Sequence, residues 1–297
     1  MHRRSAHERR AQFTADVKSP GATLVPGAYD ALSATLIERA GFRAAYIGSF
    51  AAAASGFGLP DVGLLTLTEL TDAARRLVDA TDLPILSDGE AAFYEPANIW
   101  RTVRAFEEAG TVGIHIEDNK GGKHSDSPAG LMSAGATAQR IRAAVDARED
   151  PDFLIIARSD ALWVNCDLDE TVDRLLAYVD AGADAVFAPG ISAEQLASVR
   201  SSIPVPVMVL GDLATGHGSD EPPSTLAEFE DAGADLIVLF YHLLGVASAA
   251  VGAALADLHD TGVLRGARAE PASRFEGRMG YDRYSERVAR YAEVTVG

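Results

Sequence analysis

The sequence predicts a (β/α)₈ TIM-type barrel, and three observations carry that expectation. Eight short apolar runs recur along the 297 residues, continuously apolar rather than alternating, as strands buried on both faces must be. Helical patterns lie between them. Four of those helices end on one device, with Ala40-Gly41, Ala109-Gly110, Ala181-Gly182 and Ala232-Gly233 each standing just before a strand. Glycine supplies the left-handed residue that ends a helix without steric cost. Strand and helix alternating in this way close a parallel barrel through right-handed crossovers. A doubly wound open sheet is the competing architecture, but no Gly-x-Gly-x-x-Gly follows the first strand.

An amphipathic opening over about residues 6–17 reads as a helix. The strands are expected at 23–25, 44–47, 83–86, 112–116, 153–157, 183–187, 205–210 and 236–241. Helices are expected at 31–40, 67–80, 97–109, 136–147 and 168–181. Beyond the eighth strand come a helix over 244–258, a Gly/Arg-rich linker at 261–269 and a last amphipathic segment at 281–292. The expected organisation is a barrel domain over 1–260 and a C-terminal helical extension over 261–297. Helices not needed to close a barrel pack on another surface, and a partner subunit is the expected one.

Composition narrows the function. The chain is 47% hydrophobic with 27 glycines, which suits a globular protein. Its net charge is −17 and its pI about 4.7, so nucleic acid and anionic membrane are not expected partners. A small anionic substrate would then need a local cation. The single cysteine, Cys166, excludes an internal disulfide and a cysteine zinc site, and fits a cytoplasmic location. The basic start, Met1–Ser5, leads into no apolar core and is not read as a secretory signal. The apolar block at 246–258 reads as too short to span a bilayer.

If all strand ends face one mouth, the residues there can be named. The third strand ends Asp88-Gly89-Glu90, the fourth His115-Ile116-Glu117-Asp118, and Asp61 lies in the loop after the second. Asp88, Glu90, Glu117 and Asp61 would converge, and carboxylates so placed repel unless a cation or shared protons sit between them. Hard oxygen ligands with no histidine pair and no cysteine set favour Mg²⁺ or Mn²⁺. The competing reading is that these acids cap helices. Arg158, directly after an apolar strand, needs a carboxylate or phosphate nearby; a structural ion pair with Asp160 or Glu117 would also satisfy it. His115, with isoleucine on both sides, reads as a hydrogen-bonded core residue. The polar loop 119–128 either closes over substrate or is a plain surface loop. Cys166 reads as incidental.

These residues carry a resemblance. Pro26-Gly27-Ala28-Tyr29-Asp30-Ala31-Leu32-Ser33-Ala34, Gly58-Leu59-Pro60-Asp61, His115-Ile116-Glu117-Asp118 and Ile155-Ile156-Ala157-Arg158-Ser159-Asp160 resemble the isocitrate lyase/phosphoenolpyruvate mutase superfamily. Its methylisocitrate lyases and carboxyphosphonoenolpyruvate phosphonomutases look most similar. The resemblance implies a barrel in a homotetramer, or a dimer, that exchanges C-terminal helices. It implies Mg²⁺ on a 2-oxo or 2-hydroxy acid and an enolate-like species as a C–C or C–P bond breaks or forms. Asp88 would ligate the metal, with Glu90, Glu117 and Asp61 holding its waters and Asp61 also facing substrate. Arg158 would bind a substrate carboxylate, and Tyr46, Gly48 and Ser49 would line the oxyanion side.

The chain departs from the family pattern at several of these points. Glu90 replaces an aspartate, Ser125 stands where the lyases carry an acid cysteine, and Pro189 replaces a glutamate. A Ser-Gly pair is inverted to Gly48-Ser49 and followed by Phe50. A hydroxyl is a far weaker acid than a thiol, so standard isocitrate or methylisocitrate lyase activity is not expected. Acid/base duty would fall to Ser125, His124 or Asp126, with Lys123 and Arg158 also expected among the catalytic residues. The expected function is a Mg²⁺-dependent lyase cleaving a C–C bond of a small 2-oxo or 2-hydroxy acid. The alternatives are C–P bond chemistry, a 2-oxoacid decarboxylase or hydrolase, and a non-catalytic ligand-binding relative.

Overall fold

Every apolar run becomes a strand of one parallel sheet: β1 (Thr23–Pro26), β2 (Ala45–Ile47), β3 (Ile85–Asp88), β4 (Gly113–Glu117), β5 (Leu154–Arg158), β6 (Ala185–Phe187), β7 (Val207–Leu210) and β8 (Leu236–Leu239). The structure is a computed structural model and describes residues 3–122, 130–212, 224–263 and 269–292. Ladders run in the order β1-β8-β7-β6-β5-β4-β3-β2. A parallel bridge from Gly27 to Tyr46, with a 2.7 Å bond from the Ala28 amide to the Tyr46 carbonyl, joins β1 to β2. The barrel expected from the sequence is therefore present and nearly closed.

Several strands start later than the apolar runs and end on polar residues. In the ladders Asp88 pairs with His115, and Glu117 with Arg158. Strand pairing is a backbone property, so a polar side chain at a strand end stays in register and is delivered to the mouth. Gly27 shows how tight the closure is. A Cβ there would stand 2.5 Å from the Leu239 carbonyl oxygen and 2.8 Å from that of Phe240. Gly27→Ala is expected to lower stability by about 1–3 kcal/mol, the usual cost of overpacking. Urea unfolding measures it, and an unchanged midpoint with an unchanged slope would contradict so close an approach.

The helices are α1 (Ala6–Val17), α2 (Ala31–Arg39), α3 (Ser49–Phe57), α4 (Leu67–Ala80), α5 (Trp100–Ala109), α6 (Ala134–Ala147), α7 (Ala161–Asn165), α8 (Leu168–Asp180), α9 (Ala193–Val199), α10 (Leu226–Asp231), α11 (His242–Thr261), α12 (Ala272–Met279) and α13 (Tyr281–Tyr291). Sequence reasoning missed α3, α7, α9, α10 and α12. Each spans nine residues or fewer, too short for an apolar period to declare itself.

Two apolar layers position the site. Ile37, Leu70, Phe106, Ile114 and Ile155 belong to the layer between sheet and helices. Val25, Leu86, Val112, Ile156, Met208 and Val238 fill the barrel interior, and Phe13 and Val17 of α1 pack into that same cluster. Arg10 secures α1 there, donating to the Thr111 carbonyl at 2.9 Å and to Asp150 at 3.0 Å, just before β4 and β5. α1 therefore covers the N-terminal end of the barrel. Chemistry is left to the other end.

The chain divides into two compact units, Met1–Val246 and Ala247–Gly297. The second holds most of α11 together with α12 and α13, and exposes Val251, Leu255, Phe275, Tyr284 and Tyr291. α11 corrects one expectation. It runs 20 residues with a mean hydropathy of 1.3, which by length and composition is enough to cross a membrane. The block at 246–258 looked too short because His242, Asp257, His259 and Asp260 break up the ends of the apolar run.

Candidate active site

The site begins where β2 ends. Tyr46 is buried, and its hydroxyl lies 2.8 Å from His115 Nε2 on β4. Two residues on, Gly48 caps α3 in extended conformation and Ser49 opens the helix. The Ser49 hydroxyl is 3.0 Å from Asp61 Oδ1 and 2.9 Å from Asp88 Oδ2, and its one proton serves one of them at a time. The Ser49 amide also donates to Asp88 Oδ2, at 3.3 Å. Asp88 thus sits at the N-terminus of α3, where backbone N–H groups favour a carboxylate. In this geometry the Ser49 amide faces Asp88.

The turn after β3 is strained. Glu90, Ala92 and Phe93 all have positive φ, at 49°, 67° and 59°. Non-glycine residues in this region cost roughly 1–2 kcal/mol each and gather at functional sites. Hydrogen bonds donated by backbone amides brace the turn, among them Glu90 N to the Asp88 side-chain Oδ1 at 2.8 Å, Gly89 N to the His115 carbonyl at 2.9 Å, and Glu117 N to the Glu90 carbonyl at 3.0 Å. Only glycine fits at 89, because a Cβ would meet the His115 carbonyl oxygen at 2.7 Å. Asp88 Oδ1 also lies 3.6 Å from His115 Nδ1, so Tyr46, His115 and Asp88 form one buried polar chain.

Arg158 ends β5 and is 5% exposed, too buried to rely on water. Its Nε and Nη2 donate to Asp160 at 2.6 and 3.1 Å, and its Nη1 lies 3.1 Å from Glu117 Oε2. Trp163 and Phe187 flank the guanidinium, each ring centroid 5.4 Å away. Burial pulls the Arg158 pKa down, but the charges of Asp160, Glu117 and Asp88 outweigh it and hold the group well above its usual value. Both ion pairs that the sequence left open are therefore formed, and the same arginine lines the cavity at the mouth.

That cavity is small, about 20 Å³, and is lined by Tyr46, Gly48, Phe50, Asp61, Asp88, Arg158, Trp163, Phe187, Leu210 and Phe240. Buried around it, Asp61, Asp88, Glu117 and Asp160 outnumber Arg158, the cationic side chain among the described lining residues. A surplus of buried carboxylates with hard oxygen donors fits a divalent cation such as Mg²⁺. Asp118 is different. It accepts from Ser159, the Asp160 amide and Tyr178 beneath the site, which makes it a structural hub.

Of the residues predicted from sequence, Tyr46, Gly48, Ser49, Asp61, Asp88 and Arg158 come together, and Glu117 joins through Arg158. Glu90 is half-buried beside them, tied in by its backbone. Lys123, His124 and Ser125 lie outside the described residues. Cys166 is exposed and ends α7. Sequence reasoning missed the aromatic half of the cavity, Trp163, Phe187 and Phe240 with Leu210. No composition signal separates such residues from core; only the positions of Phe187, Leu210 and Phe240 at or just past strand ends could have marked them, and Trp163 lies on α7. Elsewhere among the described residues, His7, Asp150 and Asp152 bring ligand atoms within 4.8 Å of one another. That trio lies by α1, at the covered end, and Asp150 is already paired with Arg10.

Fold and site together define a class: an α/β-barrel enzyme whose C-terminal mouth gathers carboxylates around one buried arginine. The chain belongs to the phosphoenolpyruvate phosphomutase family, within the isocitrate lyase/phosphoenolpyruvate mutase superfamily, the family's profile matching residues 13–259. It is 36% identical over 259 residues to a probable 2-methylisocitrate lyase 2 of Corynebacterium glutamicum, covering 86% of this chain and 82% of that protein. It is also 36% identical over 217 residues to 2,3-dimethylmalate lyase of Eubacterium barkeri, covering 72% and 74%. The crystal structure of a phosphoenolpyruvate phosphomutase from Streptomyces platensis subsp. rosaceus superposes with a TM-score of 0.85 at 32% identity, covering 96% of this chain and 99% of that one.

Proposed function

We propose that this protein is a Mg²⁺-dependent carbon–carbon lyase acting on a small 2-oxo or 2-hydroxy carboxylic acid through an enolate-type intermediate, with Mn²⁺ able to replace Mg²⁺. The observation that carries the reading is the surplus of buried carboxylates, with Asp61 and Asp88 sharing the Ser49 hydroxyl while Asp160 and Glu117 occupy Arg158. Asp88 would ligate the cation directly, with Glu90, Glu117 and Asp61 holding its waters. Among the described residues these acids form no trio of ligand atoms within 4.8 Å, which suits an ion that keeps several waters. Bound there, the cation supplies Lewis-acid stabilisation of a developing oxyanion.

The chain's own groups do the rest. Asp160 fixes the plane of the Arg158 guanidinium, whose remaining N–H groups bind a substrate carboxylate. Tyr46 holds a proton at its hydroxyl on the cavity wall, backed by His115 Nε2. Lys123, His124 and Ser125, which follow β4 in the sequence, supply acid/base function. Loss of the acid cysteine at 125 argues for a reaction other than isocitrate or methylisocitrate cleavage. The two lyase relatives favour C–C chemistry; the similarity to a phosphomutase keeps C–P chemistry as the second reading. We take the protein to be a cytoplasmic homo-oligomer whose exposed C-terminal helices meet partner subunits.

Calorimetry with oxalate tests the site. Oxalate is expected to bind in the presence of Mg²⁺ and to lose its binding in excess EDTA. Binding that persists under chelation would sink the metal role. Phosphorus NMR on phosphonopyruvate then separates the two chemistries, since turnover there favours the second.

A further inference from the structure

Asp160 precedes α7 without using its side chain to cap that helix, so its carboxylate serves other donors. Arg158 donates to Oδ1 from Nε and to Oδ2 from Nη2, which sets guanidinium and carboxylate in one plane. Two parallel bonds do not by themselves stop the pair turning together. The Asn119 side-chain nitrogen supplies a further donor, 3.1 Å from Asp160 Oδ2. Asn119 lies two residues past the end of β4 and is 2% exposed, so this bond is shielded from water. A donor outside the ion pair fixes the direction in which the pair points.

The other end of the same amide is used as well. Asn119 Oδ1 accepts the Gly121 amide at 2.9 Å. Around it the backbone closes a short stem, in which an antiparallel bridge pairs Asn119 with Leu131. The Lys120 amide donates to the Gly130 carbonyl at 3.0 Å, and the Met132 amide to the Asp118 carbonyl at 2.8 Å. Asn119 therefore joins the backbone after β4 to the carboxylate that holds Arg158. Its partners settle which way the amide points, since an ionised carboxylate only accepts and a backbone N–H only donates. Aspartate in its place could keep the bond to Gly121 but not the one to Asp160.

Resting on the reading of Arg158 as the group that binds a substrate carboxylate, we infer that Asn119 is a positioning residue for that arginine. Asn119 holds Asp160, Asp160 holds the guanidinium, and the remaining N–H groups of Arg158 meet the ligand already oriented. Trp163 belongs to the same assembly. Its amide donates to the Asp160 carbonyl at 3.0 Å, and its ring centroid lies 5.4 Å from the guanidinium carbon.

Two variants of the full-length protein separate the two ends of the amide. Asn119→Asp keeps an acceptor for Gly121 and loses the donor to Asp160, whereas Asn119→Ala loses both. In each, calorimetry is expected to show oxalate binding the Mg²⁺-loaded protein roughly tenfold more weakly, the scale of one hydrogen bond to a charged group. Mg²⁺ affinity measured without oxalate is expected to stay at the wild-type value. General loosening of the barrel would weaken both ligands, so the split between them marks a positioning role. Should Asn119→Asp fail to fold by circular dichroism, Asn119→Ala decides alone. Wild-type oxalate affinity in a folded variant overturns the inference, as does a parallel loss of Mg²⁺ affinity or the failure of both variants to fold. Each of those results leaves the metal-site reading standing, provided the wild-type protein binds oxalate with Mg²⁺. Failure of the wild-type protein to bind oxalate removes both.

Discussion

Asp88→Ala is expected to lower turnover by about 10³-fold or more and to abolish Mg²⁺-dependent oxalate binding, while the barrel stays folded. Asp88 is the point where the site's elements meet. It takes the Ser49 hydroxyl and amide on one oxygen, the Glu90 amide on the other, and faces His115. Removing it takes away the one carboxylate in contact with α3, with the strained turn and with the Tyr46–His115 chain. Effects of 10²–10³ follow the loss of a single electrostatic contact in a water-poor site, and a metal ligand supplies more than one such contact. Stability should change little, because the lost hydrogen bonds are offset by relief of repulsion from Asp61 and Glu117. Asp88→Asn sharpens the test. It keeps an acceptor for the Glu90 amide but loses the charge, and is expected to fold normally and bind no metal. Metal-dependent binding in either variant would place the ion elsewhere.

Asp118→Ala is expected to have the largest effect on stability, a loss of about 3 kcal/mol or more in denaturant unfolding. Asp118 is fully buried and serves as acceptor for the Ser159 hydroxyl, the Asp160 amide and the Tyr178 hydroxyl at 2.7, 2.9 and 2.9 Å, with Arg174 at 3.4 Å. Alanine leaves those donors buried without an acceptor, at about 1–3 kcal/mol for each orphaned group before relaxation. Because the Asp160 amide is among them, Arg158 should lose its fixed plane as well, so oxalate affinity falls with stability.

The same carboxyl gives a pH signature. Burial first, with the nearby Asp160 charge, raises the Asp118 pKa above the usual carboxylate range even though its donors pull it down. The folded state therefore binds a proton more readily than the unfolded one, and between the two pKa values stability falls as pH rises. Asp118→Ala should remove that contribution on the acidic side. A variant with wild-type stability and an unaltered acid limb would show that the hub is dispensable.

Much of this protein was legible in its residues. Runs such as Phe153–Leu154–Ile155–Ile156–Ala157, closed off by glycines after helices, determine strand and helix locally, since continuous apolarity and a left-handed stop depend on neighbours in the chain. Asp88, Glu117 and Arg158 were recognisable because charged residues directly after buried strands have few places to go. The short helices α3 and α7 were not legible. Neither is long enough to repeat its period, yet α3 aims Ser49 at Asp88 and α7 carries Trp163 to Arg158.

The residues alone thus determined a barrel, its strand order along the chain and the acids at its open end. Only the tertiary structure decided how those acids are shared: Asp61 with Asp88 through Ser49, Glu117 and Asp160 on one arginine. Only it decided that Phe50, Leu210 and Phe240, drawn from three separate elements, complete the cavity wall. The physical reason is range. Strand and helix propensities act over a few residues, whereas pairing of charges and closing of a pocket depend on distances between groups far apart in sequence, set only when β1 meets β2 and the barrel closes.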